Sequence, residues 1–214
     1  MIAIKNIRPL LSVLLTCALF SLPADASVNY KGISGLIDIP SAYVKRSGKG
    51  SVGYAYWRSV DAVSGNISMF GEAELAYSYW SSSQQTTGMC SIKLAILREE
   101  LLSPALAAGV EDITNGVGRG YYLVVSKQLP WGLRLHTGYR GGKLINSLFC
   151  GVEKQIRLKT DLRKIEKFVP VFAVLLEHNG QDINYGVYIR TSRGLRFDLG
   201  WNEQRLLVGA QVEF

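Results

Sequence analysis

A chain of 214 residues with 48% hydrophobic and 19% charged residues can build one domain with a sizeable core, and is too apolar for long disorder. Three cysteines with no CxxC pair exclude a disulfide scaffold and a cysteine-based zinc site. The surplus of 24 Lys+Arg over 17 Asp+Glu gives +7 at pH 7, which admits nucleic acid, anionic lipid or acidic polysaccharide without choosing among them.

Residues 1–26 read as a secretory signal peptide. Lys5 and Arg8 supply the positive start, Leu10 to Leu22 the apolar run, and Ala24-Asp25-Ala26 the small-residue cleavage site. The apolar run falls short of the roughly 20 residues a spanning helix needs. Removal of Lys5, Arg8 and Asp25 lowers the charge from +7 to +6 and leaves Cys90 and Cys150 as the remaining thiols. Export argues against nucleic acid as a partner. Residues 27–214 are read as a single domain.

Beyond residue 26 the recurring pattern is period-2 alternation in short segments separated by turn residues. In chain order the segments are 50–57, 66–80, 89–97, 104–111, 120–128, 133–140, 146–155, 168–177, 183–190, 194–201 and 205–214. Leu129-Pro130-Trp131-Gly132, His178-Asn179-Gly180-Gln181 and Thr191-Ser192-Arg193-Gly194 carry turn chemistry between them. The last segment is the clearest: Leu206, Val208, Ala210, Val212 and Phe214 share one face, opposite Arg205, Leu207, Gly209, Gln211 and Glu213.

Alternation alone fits a soluble sandwich or a transmembrane barrel. Three features favour the barrel. An alternating apolar strand ends on Phe214, as in the sorting strand that barrel-assembly machinery recognises. Trp57, Tyr79, Trp80, Tyr121, Trp131, Tyr139 and Trp201 fall near segment ends, where interfacial girdles lie. The polar faces carry charges that a dry soluble core would not tolerate unpaired. The expected fold is therefore all-β, a transmembrane antiparallel up-and-down barrel. Bacterial barrels have even strand numbers. About twelve strands follow if Gly32–Pro40 supplies one more, and ten if the N-terminal pieces fold as a plug.

Several blocks carry a family resemblance. They are Gly35-Leu36-Ile37-Asp38-Ile39-Pro40-Ser41-Ala42, then Val52-Gly53-Tyr54, Glu72-Ala73-Glu74-Leu75-Ala76-Tyr77-Ser78-Tyr79 and Gly109-Val110-Glu111-Asp112. Tyr121 to Lys127, Glu177-His178-Asn179-Gly180 and Asp182-Ile183-Asn184-Tyr185-Gly186 follow. In that order they resemble the YjbH family of outer-membrane barrels. The resemblance implies a place in exopolysaccharide biosynthesis or export, in a short, single-barrel form, and not a reaction.

Candidate chemistry is sparse. Neither a GxSxG elbow nor a phosphate loop is present, and the histidines beyond residue 26 are His136 and His178. No catalytic residue, metal or cofactor is expected. Glu72 and Glu74 share a strand face and could work as paired carboxylates, but are better read as partners of lumen arginines. With Glu111, Arg134, His136, Arg140, Arg190, Arg196, Asp198 and Arg205 they form a candidate lumen charge network. That network either keeps the barrel shut or lines a path for an acidic glycan. The charged stretch Lys159 to Lys167 falls in a periplasmic connection, where it is a solvated loop or a contact for a periplasmic partner. Cys90 and Cys150 lie on apolar faces of distant strands and are not expected to pair.

The expectation is a non-enzymatic outer-membrane barrel, structural or accessory in surface-polysaccharide export. Its partners are outer-membrane lipid, the assembly machinery, an acidic exopolysaccharide and a periplasmic export component. A small outer-membrane enzyme acting on lipid A or glycan, and a soluble exported β-domain, are the alternatives.

Overall fold

The computed structural model describes residues 28–143, 146–157 and 170–214. The signal-peptide expectation and the Lys159–Lys167 stretch lie outside these residues. Twelve antiparallel strands follow one another in order: β1 Gly50–Trp57, β2 Val60–Met69, β3 Ala73–Ser81, β4 Thr86–Leu97, β5 Ala105–Glu111 and β6 Gly120–Leu129. They continue as β7 Leu133–Gly142, β8 Ser147–Arg157, β9 Val171–His178, β10 Ile183–Arg190, β11 Leu195–Asn202 and β12 Arg205–Glu213. Each strand pairs with its neighbours in sequence, and β1 pairs with β12 to close the barrel. Closure removes both sheet edges, so every strand finds partners on either side without water.

The seam runs from Ser51 opposite Glu213 to Trp57 opposite Leu207. Phe214 completes it, exchanging backbone hydrogen bonds with Gly50, each 3.0 Å long. A side chain on Gly50 would run into the Phe214 ring at 2.9 Å, so a residue without Cβ sits at that closure. On the last strand Leu206 and Val208 are exposed on the outer face, Ala210 is half-buried and Val212 is buried.

The count of twelve matches the expectation, but the twelfth strand comes from a different place. Segment 66–80 is two strands, β2 and β3, divided by a tight turn with Phe70 and Gly71 both in the left-handed region (φ 56° and 70°). Gly32–Pro40 is no strand of the wall. It lies inside the barrel.

Residues 28–45 fill the lumen as a folded plug. Val28 bridges to Ser34 and Gly35 to Pro40, and Leu36 N–H donates to Ile39 O at 3.0 Å, so the segment doubles back twice within a few residues. Gly35 makes this compact turn possible, because a Cβ there would meet the Ile39 carbonyl oxygen at 2.2 Å. Tyr30, Ile33, Leu36, Ile37, Ile39 and Ala42 are buried against the small wall residues Ala55, Ala62, Ala76, Ala105, Ala107 and Ala173. The fold thus has two apolar regions of different kind. One is a dry core around the plug; the other is the lipid-facing surface, where Leu123, Val174, Leu176, Val187, Leu199 and Val208 are exposed.

Of the residues expected in the interfacial girdle, Tyr79, Tyr121, Trp131, Tyr139 and Trp201 are exposed outside the core. Trp57 and Trp80 are corrections. Alternation turns both inward, where Trp57 packs on Tyr30 at 4.4 Å between ring centroids and on Trp80 at 5.2 Å. Free Cys90 and Cys150 sit on the outer face of β4 and β8.

Candidate functional site: the plugged lumen and its two rims

Plug and wall are joined through backbone groups that the plug cannot satisfy itself. In a water-poor lumen each unpaired N–H or carbonyl is costly, so charged wall side chains take them up. On β9, Glu177 accepts the N–H of Ile37 at 3.0 Å and of Asp38 at 2.8 Å. On β3, Glu74 accepts the N–H of Ser34 at 2.7 Å and also binds its hydroxyl. Lys93, on β4, donates to the carbonyls of Ser34, Ser41 and Tyr43 at 3.1, 3.3 and 2.9 Å. Ser126, on β6, accepts the Ala42 N–H at 2.8 Å.

Nearer the outer end, Arg140 on β7 reaches both the Asp38 carbonyl (3.1 Å) and its carboxylate (3.3 Å), and donates to Glu111 at 3.1 Å. Lys31 meets the same Asp38 carboxylate at 2.5 Å. Burial alone would raise the Asp38 carboxyl, but Lys31 and Arg140 hold it well below the usual carboxylate range. Toward the inner end, burial pushes the Lys45 ammonium down to about 8, although Glu213 (3.9 Å) and Glu74 pull the other way.

Of the ten residues of the expected network, eight project into the lumen and two do not. Glu74, Glu111, Arg134, His136, Arg140, Arg190, Arg196 and Asp198 project inward. Glu72 does not: it belongs to the turn after β2, is exposed, and meets Arg98 at 3.9 Å. Arg205 is also exposed, as the first residue of β12, where the strand has already left the lumen. Sequence reasoning missed Lys93, Ser126, Glu153 and Glu177 as inward partners. Their position on the even-spaced polar face of each strand was the available signal.

The inner half has its own pairs. Arg134 faces Glu153 at 3.7 Å, Arg190 faces Glu213 at 3.6 Å, and Arg196 binds Asp198 while lying 3.9 Å from the Tyr188 ring centroid. His136 Nδ1 lies 2.8 Å from Ser126 Oγ. This is a serine–histidine pair, but both residues are buried and the hydroxyl already receives the Ala42 N–H, so plug backbone covers the atom a nucleophile would use.

Charge is unevenly distributed between lumen and rims. The described wall carries inward Lys93, Arg134, Arg140, Arg190 and Arg196 against Glu74, Glu111, Glu153, Glu177, Asp198 and Glu213. The plug adds Lys31 and Lys45 against Asp38. The lumen is close to neutral and not a basic channel. The end where Gly50 meets Phe214 is assigned to the periplasm, the side on which even-stranded bacterial barrels place the outer ends of their first and last strands. Its rim carries Arg46, Lys49, Arg98, Lys127, Lys154 and Arg193 against Glu72, Glu99 and Glu100 among the described residues. The opposite rim is balanced, with Arg58, Arg119, Lys143 and Arg205 against Asp61, Asp112, Asp182 and Glu203. The surplus positive charge therefore collects on the periplasmic side.

The family model described as "Exopolysaccharide biosynthesis protein YbjH" (YjbH) matches residues 27–167, which span the plug and the wall through β8. The chain belongs to the YjbH family. A search of the curated proteins gives no match. Among solved structures, this YjbH-family barrel is similar to a KdgM porin at 10% identity and a TM-score of 0.53, over 78% of this chain and 98% of that one. It is likewise similar to a KdgM porin in complex with disordered oligogalacturonate, at 13% identity and a TM-score of 0.52, over 78% and 99% of the two chains. At such identities the likeness concerns the fold, an outer-membrane porin barrel. The YjbH-family chain thus shares the barrel fold of these outer-membrane proteins.

Proposed function

We propose that this YjbH-family barrel is a non-enzymatic accessory component of surface-exopolysaccharide biosynthesis or export, held closed by its own N-terminal plug. The observation that carries the reading is residues 28–45 in the lumen, tied to the wall by Glu74, Lys93, Ser126, Arg140 and Glu177. A lumen filled in this way favours a scaffold or a gated element over a standing pore. The inward charges are then a lock for the plug, and the candidate glycan path through them is available only when the plug leaves.

An acidic exopolysaccharide is the polymer that suits the basic periplasmic rim, and a porin of the same fold has been solved in complex with oligogalacturonate. A periplasmic export component is the proposed protein partner, and the terminal strand from Leu206 to Phe214 is the proposed handle for the assembly machinery. The test is a deletion strain scored for exopolysaccharide outside the cell and in the periplasm. Loss outside with retention inside is the expected result. Unchanged exopolysaccharide in both compartments would overturn the reading.

A further inference from the structure

Below the plug, at the periplasmic end, the tight turn between β6 and β7 borders a pocket of about 290 Å³ lined by Gln128, Trp131, Gly132, Arg134 and Gln155. We infer that this pocket binds an acidic sugar unit, a uronate, of a polysaccharide presented from the periplasm. Trp131 offers a platform for the ring, Arg134 a partner for the carboxylate, and Gln128 an amide for the hydroxyls, while the Gln155 amide nitrogen is already held by Glu153 and the Tyr188 hydroxyl. The inference rests on the proposed exopolysaccharide role and gives it a place and a sugar chemistry.

The residue types fit together for one class of ligand. A sugar presents an apolar C–H face and a rim of hydroxyls, which asks for an aromatic face beside a few convergent planar polar groups. The guanidinium of Arg134 is held in place from two sides, by Glu153 at 3.7 Å and by the Tyr43 ring with its centroid 5.3 Å away. Such a fixed planar fork suits a carboxylate better than a mobile lysine would. Trp131 is 88% exposed, so the pocket presents a large ring face to solvent.

The turn forms one edge of the pocket. Trp131 and Gly132 are both left-handed (φ 61° and 76°), and Leu133 N–H donates back to Pro130 O within the three-residue connection that sets Leu129 opposite Leu133. Phe70-Gly71 repeats this pair at the turn between β2 and β3 (φ 56° and 70°), so the conformation belongs to the barrel's tight turns. Gly132 lies so close to β8 that a Cβ would meet the Gln155 backbone carbonyl oxygen at 2.7 Å, which holds the turn tight against that strand. Long-range charge completes the picture. A polyanion is drawn to the positive periplasmic rim, while the plug and the near-neutral lumen above stop it at the mouth.

Trp131 has a competing role, since Phe70, Leu101 and Leu102 are similarly exposed at neighbouring turns and Trp131 could be one more interfacial anchor. The experiment separates the two. Full-length protein in lipid nanodiscs is titrated with tetragalacturonate, with neutral maltotetraose as control, at low and high salt, by calorimetry. The variants are W131G, which removes the ring and relaxes the turn, and W131F, which keeps a platform. Expected are binding to the uronate that weakens with salt, a loss of about tenfold or more in W131G with unchanged heat-modifiable mobility, and retention in W131F. No binding by the unsubstituted protein, equal binding by W131G, or equal affinity for maltotetraose overturns the pocket. The role and the pocket fail separately. Normal exopolysaccharide in the deletion strain beside clear uronate binding removes the role and leaves the pocket. A secretion defect without uronate binding removes the pocket and leaves the role.

Discussion

The Asp38 backbone N–H lies 2.8 Å from the Glu177 carboxylate, across 139 positions of sequence. Glu177 also takes the Ile37 N–H and a 2.8 Å bond from the Asn184 side chain, so one buried carboxylate organises the plug's outermost turn. Glu177→Gln keeps the size but places an NH₂ against backbone donors. The expected outcome is a plug loosened by about 2 kcal/mol, the scale of a hydrogen bond to a charged group. Planar-bilayer recordings check it, with more frequent opening than in the unsubstituted barrel. Identical traces would remove Glu177 from the lock.

Deletion of residues 28–45 tests what the plug conceals. All twelve strands remain, and the exposed lumen has six carboxylates against five cations on its described wall. A steadily conducting pore with a weak preference for cations is expected, because the net wall charge sets the sign of selectivity. The reversal potential in a potassium chloride gradient reads it. An anion-selective pore would restore a basic conduit through the lumen.

Two plug groups set opposite pH behaviour. The folded Asp38 carboxyl lies below its unfolded value, so its contribution is fully present above about pH 4 and lost as pH falls through the depressed folded value. Plug closure should therefore be insensitive to Asp38 from neutral pH to about 4 and weaken only in stronger acid. Lys45 is depressed to about 8. Between that value and its unfolded pKa near 10.4 the unfolded chain binds more protons, so stability rises with pH in this window. Melting in detergent from pH 8 to 10 should rise in the unsubstituted protein and stay flatter in Lys45→Met. Parallel profiles for the two would refute the assignment.

Trp57 and Trp201 contrast the two apolar environments. Trp57 is 5% exposed and packed against Tyr30 and Trp80, whereas Trp201 is 39% exposed on the outer face and stacks on Tyr185 at 5.4 Å. Trp57→Ala should cost about 3–5 kcal/mol as a core cavity. Trp201→Ala should cost roughly 1 kcal/mol, the scale of a lost aromatic pair, since lipid refills the space. Urea unfolding in lipid vesicles measures both. Equal losses would mean that Trp57 is not part of a packed lumen core.

Much of the wall was legible in the sequence. Period-2 alternation assigned the inward faces of β7, β10 and β11 residue by residue, because in a barrel the pleat alone decides which side a side chain takes. It failed at chain ends and turns. Phe70-Gly71 interrupts a run that looks continuous in apolar content, and Glu72 and Arg205 keep the right parity while one lies in a turn and the other at the exposed first position of its strand. The Gly32–Pro40 stretch carried its own warning: two glycines and a proline within nine residues, with apolar Ile33, Leu36, Ile37 and Ile39 out of alternation, read against a wall strand.

The sequence by itself determined a positively charged, β-rich chain whose apolar half alternates with a polar half, and thereby its closure into an outer-membrane barrel of about twelve strands. Alternation is a local property, which is why it could be read without partners. Which side of the wall binds the plug, and that the lumen charges cancel while the surplus gathers at the periplasmic rim, depended on groups such as Asp38 and Glu177 meeting across the whole chain. Only the closed tertiary structure brings those groups within hydrogen-bond distance, and it turns a basic composition into a neutral interior with a basic mouth.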